Sequence, residues 1–292
     1  MDFFILIALL CAYNMNENKA LEQKVLAWLE GQGYPLEMRV ASKLRAAEMP
    51  IRHGWHYEDP ETNTSREIDI ICTAGHPLGF AEIHFAIECK GTKKPWILFT
   101  SEDADANFNR LLTFGVLSSE SHKALATKVF SHPSDKNEQF EVAKDIPWLW
   151  KEGRVGYSLT QAFEGSKDTP YAGALSAVKA SLWLQSNSPQ QSAKYRPFVV
   201  AFPILITSSP LFECFLDDSG NTKLERISSG FLFFQQHLPE FVGTCVNVVS
   251  EDGVDVFLKE SQQVVSKIFS YLESDIQMAW EEFKKHVPGK GT

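Results

Sequence analysis

The chain has no C-x-x-C pair, and its cysteines are odd in number: Cys11, Cys72, Cys89, Cys214 and Cys245. Neither a disulfide framework nor a Cys/His zinc pattern follows from that spacing. The thiols read as reduced and buried, which predicts a cytoplasmic protein. There is no surplus of positive charge either. A net charge of −9 excludes a surface coated in basic residues, so any nucleic-acid binding needs a local basic patch. No apolar run reaches the about 18 residues expected of a membrane-crossing helix. Phe3 to Ala12 is apolar but too short, and Asp2 stands where a signal peptide carries basic residues. Residues 1–20 are therefore expected to pack as a strand, a helix or an interface segment, with no membrane partner. Internal repeats and low-complexity linkers are also missing. A length of 292 residues then fits one large domain, or a core with an extension.

What is present is concentrated between Arg66 and Lys90, R-E-I-D-I-I-C-T-A-G-H-P-L-G-F-A-E-I-H-F-A-I-E-C-K. Two alternating runs flank a turn at Gly75 to Gly79. In the first, Ile68, Ile70 and Cys72 are expected on one face, with Glu67 and Asp69 on the other. In the second, Ile83, Phe85, Ile87 and Cys89 share a face, while Glu82, His84, Ala86, Glu88 and Lys90 share the opposite one. Pairing the runs as a hairpin would lay Asp69 beside Glu88 and Lys90. Two carboxylates and an ammonium in one small volume suit a divalent cation and an activated water. Upstream, Pro35 to Glu48 reads as a helix with Pro35 in its first turn and a stripe of Leu36, Val40, Leu44 and Ala47. Glu37 borders that stripe. It can face the sheet, or simply be a first-turn carboxylate that favours the helix dipole.

This arrangement resembles the PD-(D/E)xK nuclease superfamily, the restriction-endonuclease-like fold. The resemblance rests on Asp69, on Glu88-Cys89-Lys90 and on Glu37 in P-L-E-M-R-V-A-S-K-L, and is best over Gly33 to Lys93. It implies an α/β fold with an αβββαβ core, its mixed sheet flanked by helices. That core would span residues 21–210, with 101–156 as an insertion and 211–292 as a C-terminal α/β extension packed on it. It implies Mg²⁺ as cofactor, with Mn²⁺ able to substitute, held by Asp69, Glu88, the backbone carbonyl of Cys89 and, for a second ion or a metal-bound water, Glu37. Lys90 would orient the attacking water and offset phosphate charge. Hard oxygen donors suit these cations.

The rest of the chain is read for its elements. Leu21, Val25, Trp28 and Leu29 predict a helix ended by Gly31 and Gly33. Ile51 to Tyr57 and Trp96 to Thr100 read as strands, Asn107 to Phe114 and Ser121 to Phe130 as helices. Tyr157 to Phe163 is expected to begin a helix, and Pro170 to Gln185 is the clearest helix after the motif. Pro197 to Thr207 reads as a buried strand, although Pro203 argues against full pairing. A hairpin is expected around D-D-S-G-N, a strand over Phe241 to Val249, and a long helix from Val254 to about His286.

The function expected is a metal-dependent endonuclease hydrolysing phosphodiester bonds in DNA, in restriction, repair or anti-phage defence as the resemblance implies. Arg66, Lys93 and Lys94 are expected to contact substrate, within a wider basic set of Arg39, Lys43, Arg45, Arg52 and Arg110. RNA stays open as substrate, as does a homodimer or a protein partner. The alternative is a catalytically inactive nucleic-acid-binding or interaction subunit of the same fold.

Overall fold

The computed structural model describes residues 19–30, 32–91, 94–102, 113–130, 146–149, 154–163, 169–187, 198–238 and 240–286. Helix α1 (19–30) forms where the apolar spacing predicts it, and its Leu21, Val25 and Trp28 are exposed. Helix α2 (Tyr34–Ala46) starts on Pro35 and buries Leu36, Val40, Ala41 and Leu44. Strands β1 (Ile51–Glu58), β2 (Ser65–Gly75) and β3 (Ala81–Lys90) then form an antiparallel meander. The first turn is held by Asp59, whose carboxylate accepts the amides of Glu61 and Thr62 at 2.9 and 3.2 Å.

The chain continues through β4 (Trp96–Ser101), β5 (Val116–Leu117), α3 (Ser119–Phe130), β6 (Val155–Gln161) and α4 (Thr169–Ser186). Strand β7 (Phe198–Thr207) runs parallel to β3 and beside it. After β7 come β8 (Leu211–Leu216), β9 (Thr222–Ile227), β10 (Ser229–Leu238), β11 (Glu240–Ser250), a 3-10 turn (Glu251–Gly253) and α5 (Val254–His286). The eleven strands among the described residues join one mixed sheet, ordered β1-β2-β3-β7-β11-β10-β6-β4-β8-β9, with β5 paired to β7. The protein is thus mixed α/β, a large sheet flanked by helices.

The two faces of the sheet have different covers. Ile70, Cys72, Ile83, Phe85, Ile87 and Cys89 form one core with apolar side chains of α2 and α5. On the other face α4 lies close, because Gly173, Ala174, Ala177 and Ala180 present little bulk. Within 101–156, Phe114, Ala124, Leu125, Ile146, Trp148 and Leu149 belong to the first core, and Val116 packs on the other face. Trp148 meets Phe202 edge-on at 5.1 Å, stacks on Phe257 at 5.5 Å, and donates its indole N–H to Glu260 at 2.9 Å. Residues 107–112 of the expected Asn107 to Phe114 helix lie outside the described residues.

Two expectations are corrected, and one strand was not foreseen. Tyr157 to Phe163 does not begin a helix: Tyr157 to Gln161 belong to β6, which pairs with β4 and β10. Strand β10 has no counterpart in the sequence reading, because F-L-F-F-Q-Q-H-L has no clean alternation. The faces of β2 also differ from simple alternation. Ile68 packs with Tyr57, Ile71, Ala86 and Ala180, whereas Ile70 and Cys72 enter the opposite core. The inversion falls at Asp69, across from Gly54 of β1, which adopts φ +53°. Pro203, by contrast, sits in a central strand without penalty. It faces Ala86 of β3, and on the other edge it falls between the residues paired to β5 and those paired to β11.

Candidate active site

The sheet register determines where the motif residues meet. The β2–β3 ladder begins at Ile70–Ile87, so Asp69 and Glu88 lie just beyond its last rung. There the Asp69 side chain takes over from the backbone: its Oδ2 accepts the amide of Cys89 at 2.6 Å. Glu88 and Lys90 stand on the α4 side of β3. Ser176 of α4 donates its hydroxyl to Glu88 Oε2 at 3.3 Å, and Lys90 Nζ donates to Glu88 Oε1. A Cβ on Gly173 would come within 3.3 Å of Lys90 Cγ and 2.8 Å of Leu205 Cδ1, so the helix can approach the lysine stem only with glycine there. The strand end is fixed from β7 by Thr207, which donates to the Lys90 carbonyl at 3.1 Å.

Glu37 comes to the same end of the sheet from the α2 side. Its pKa is raised from 4.5 to about 7 by burial first and then by the charges of Asp69 and Glu67, with Lys90 opposing. Glu88 is likewise pushed up to about 7, by burial and then by Asp69, against Lys90 and the Ser176 hydroxyl. Burial also raises Asp69, despite the Cys89 amide and Lys90. Burial works against the charge on Lys90, but Glu88 and Asp69 outweigh it and hold the ammonium above its ordinary value. Lys90 is therefore a positioned cation here. The Cys89 thiol, buried in the first core, is raised well above its usual value by burial and its acidic neighbours.

The structure thus brings Glu37, Asp69, Glu88 and Lys90 together, while Arg66 and Lys94 have contacts elsewhere. Arg66 lies 3.6 Å from Asp59 and is largely exposed. Lys94 reaches the Phe163 carbonyl at 3.4 Å, and Lys93 lies outside the described residues. Arg39 and Lys43 pair with Glu251 and Asp255, tying α2 to the start of α5. His84 is buried at Thr73 and Glu82, away from Glu88.

Residues that sequence reasoning passed over are Ser176, Gly173, Thr207 and Lys179. Lys179 bonds both oxygens of Asp59, at 3.0 and 2.9 Å, and Glu61 at 2.7 Å, fastening the β1–β2 turn onto α4. The small residues in P-Y-A-G-A-L-S-A-V-K-A signalled a close helix. A lysine inside so apolar a helix was the available sign of a buried partner.

The donor set is hard oxygen, partly buried and in excess over its one lysine, which fits a divalent cation. Among the described residues, no three His, Cys, Asp or Glu side chains stand in ready ligand positions. Lys90 and the Cys89 amide hold oxygens of Glu88 and Asp69. No helix among the described residues is long and apolar enough to cross a membrane. No protein-family model, curated protein or solved structure matches the chain.

Proposed function

We propose that the protein is a metal-dependent endonuclease of the PD-(D/E)xK type that hydrolyses phosphodiester bonds in DNA. The observation that carries this reading is the gathering of Asp69, Glu88 and Lys90 where the β2–β3 ladder ends, with Glu37 close enough to feel the charges of Asp69 and Lys90. Supporting it is the order α2-β1-β2-β3-α4-β7, an antiparallel meander followed by a helical crossover to a strand parallel to β3. With β4, β5, α3 and β6 set between β3 and α4, these elements follow the sequence αβββαβ that the resemblance leads one to expect.

Asp69, Glu88, the Cys89 carbonyl and Glu37 would hold Mg²⁺ or Mn²⁺. An extended residue sends its N–H and C=O to the same side, so the Cys89 carbonyl faces the gap in which Asp69 lies. A bound divalent cation supplies charge neutralisation at the phosphate and lowers the pKa of its water. The chain's own residues do the rest. Ser176 fixes the Glu88 carboxylate, the Cys89 amide fixes Asp69, and Thr207 fixes the backbone that carries Lys90. The Lys90 ammonium, released from Glu88, offsets phosphate charge and orients the attacking water.

The test is cleavage of supercoiled plasmid, linear duplex and single-stranded DNA with Mg²⁺, Mn²⁺ or EDTA, comparing wild type with Asp69→Ala and Lys90→Ala. Metal-dependent cutting lost in both folded variants is the expected result. A wild type that neither cuts nor binds divalent metal sinks the assignment. Metal binding without cutting transfers support to the inactive, binding-only reading.

A further inference from the structure

Three strands along the sheet from Glu88, the regular ladder is interrupted. Strands β10 and β6 pair only through Leu232 and Gly156 among the described residues. Gly156 permits that contact, since a Cβ there would lie 2.8 Å from the Phe231 carbonyl oxygen and 2.4 Å from Leu98 Cδ1. The next residue, Tyr157, is a bulge. Phe99 of β4 faces Ser158 and Thr100 faces Gly156, so Tyr157 has no opposite number. A bulge re-aims a side chain, and here it turns out a tyrosine that is 60% exposed.

Beside that ring, between β6 and β10, is a cavity of about 370 Å³ lined by Tyr157, Ser158, Tyr171, Phe233, Phe234 and Gln235 among others. Tyr171 closes one side. Its ring stacks on Phe234 at 5.3 Å and 30°, and its hydroxyl donates to Gln236 at 3.0 Å. A lining with Tyr157 and Tyr171, the Ser158 hydroxyl and the Gln235 amide suits a planar, hydrogen-bonding ring. The volume is at the small end of ligand sites, too small for a helix and adequate for one heterocycle.

The slot also communicates with the candidate active site through one helix. Tyr171 stands two and five positions before Gly173 and Ser176, which abut Lys90 and Glu88. At 1.5 Å per residue that is about 3–8 Å along the axis of α4. Across the sheet, three strand spacings from β3 to β10 amount to about 15 Å, a span that a few nucleotides of single strand cover.

We infer that the Tyr157 bulge and the β6–β10 slot form a nucleobase pocket, so that the substrate strand presents an unpaired base a few nucleotides from the cut. This rests on the nuclease reading and deepens it, naming nucleic acid with a single-stranded segment as substrate. Stacking on tyrosine tolerates any base, because every base has a π-face.

The experiment measures binding of a fluorescein-labelled oligothymidine, and of a duplex of equal length, by the full chain in EDTA. Wild type, Tyr157→Ala and Tyr157→Phe are compared, their folding checked by thermal melts. A second arm irradiates a 5-iodouracil oligonucleotide with each protein and maps the crosslinked peptide. Wild type should prefer the single strand and crosslink at Tyr157. Tyr157→Ala should weaken single-strand binding about tenfold, while Tyr157→Phe retains it. Single-strand binding unchanged in Tyr157→Ala, or absent in wild type, overturns the pocket. In the first case metal-dependent cutting by the same preparation leaves the nuclease reading intact. Binding that depends on Tyr157 in a wild type that cuts nothing with Mg²⁺ or Mn²⁺ keeps the pocket and removes the nuclease.

Discussion

The Asp69 carboxylate accepts the backbone amide of Cys89 at 2.6 Å, so the residue between Glu88 and Lys90 is anchored by a side chain from the neighbouring strand. Structure and charge can be separated at this contact. Asparagine at position 69 retains an oxygen for the amide but carries no charge. Asp69→Asn should therefore melt near the wild type in EDTA while cutting falls on the order of a hundredfold or more. Metal-induced stabilisation is the second readout. At about one hundred times Kd a ligand adds about 2.7 kcal/mol, and the variant should lose most of that gain. An equal metal-dependent rise in Tm for both proteins counts against Asp69 as a ligand.

The acidic cluster predicts a pH dependence for the metal-free protein. Glu88 titrates near 4.5 when unfolded and at about 7 in the fold, so the native state binds more protons between those values. Stability from this group is fully present below about 4.5 and lost as pH rises through about 7. Glu88→Gln removes the titration. In EDTA the variant should gain on wild type, by denaturant midpoint, between pH 5 and pH 8. A wild type that instead pulls ahead at pH 8 would show a Glu88 pKa below its ordinary value.

Lys179 and Asp59 form an ion pair whose side chains are 9% and 3% exposed. Removing one partner strands a buried charge, and such losses run to about 3–5 kcal/mol. Lys179→Met should cost an amount of that order by urea denaturation. The double variant Asp59→Asn, Lys179→Met should recover part of it, since the charges then left without these partners, Glu61 and Arg66, are exposed. Additive losses would argue that the pair is not coupled.

Gly54 adopts φ +53°, and a Cβ there would come within 2.8 Å of Glu67 Oε1. Gly54→Ala should destabilise the protein by about 1–2 kcal/mol through the left-handed backbone alone. Because Gly54 faces Asp69 across the strand pair, cutting should fall more than stability accounts for. Activity unchanged in the folded variant would separate the Gly54 backbone from the placement of Asp69.

The sequence shows β3 almost completely: Ile83, Phe85, Ile87 and Cys89 turn to one core while Ala86, Glu88 and Lys90 turn to the other side. Helix α4 is legible in its small residues, and α5 in the stripe through Val264, Ile268 and Leu272. In β2 a period of two is a local rule, and one positive φ in a neighbouring strand reverses it at Asp69. Strand β6 was obscured because Tyr-Ser-Leu-Thr-Gln suits a helix as readily as a strand, and only its partners decide. Ser176 and Thr207 reach the site from 88 and 117 residues away in the chain, a separation that no spacing pattern encodes.

The lone β6–β10 bridge divides the backbone hydrogen-bond network, while one apolar cluster joins the two parts. Trp96, Leu98 and Leu159 on one side pack with Ala174, Val246 and Val248 on the other. Cohesion across this boundary is thus a matter of side-chain interlock, which denaturant weakens without breaking a ladder. In hydrogen exchange, amides of β4, β6, β8 and β9 should open as one cooperative unit, ahead of those in β3, β7 and β11. The part of the sheet that carries Asp69 and Glu88 would keep its protection after the part that carries Trp96 and Leu159 has lost its own.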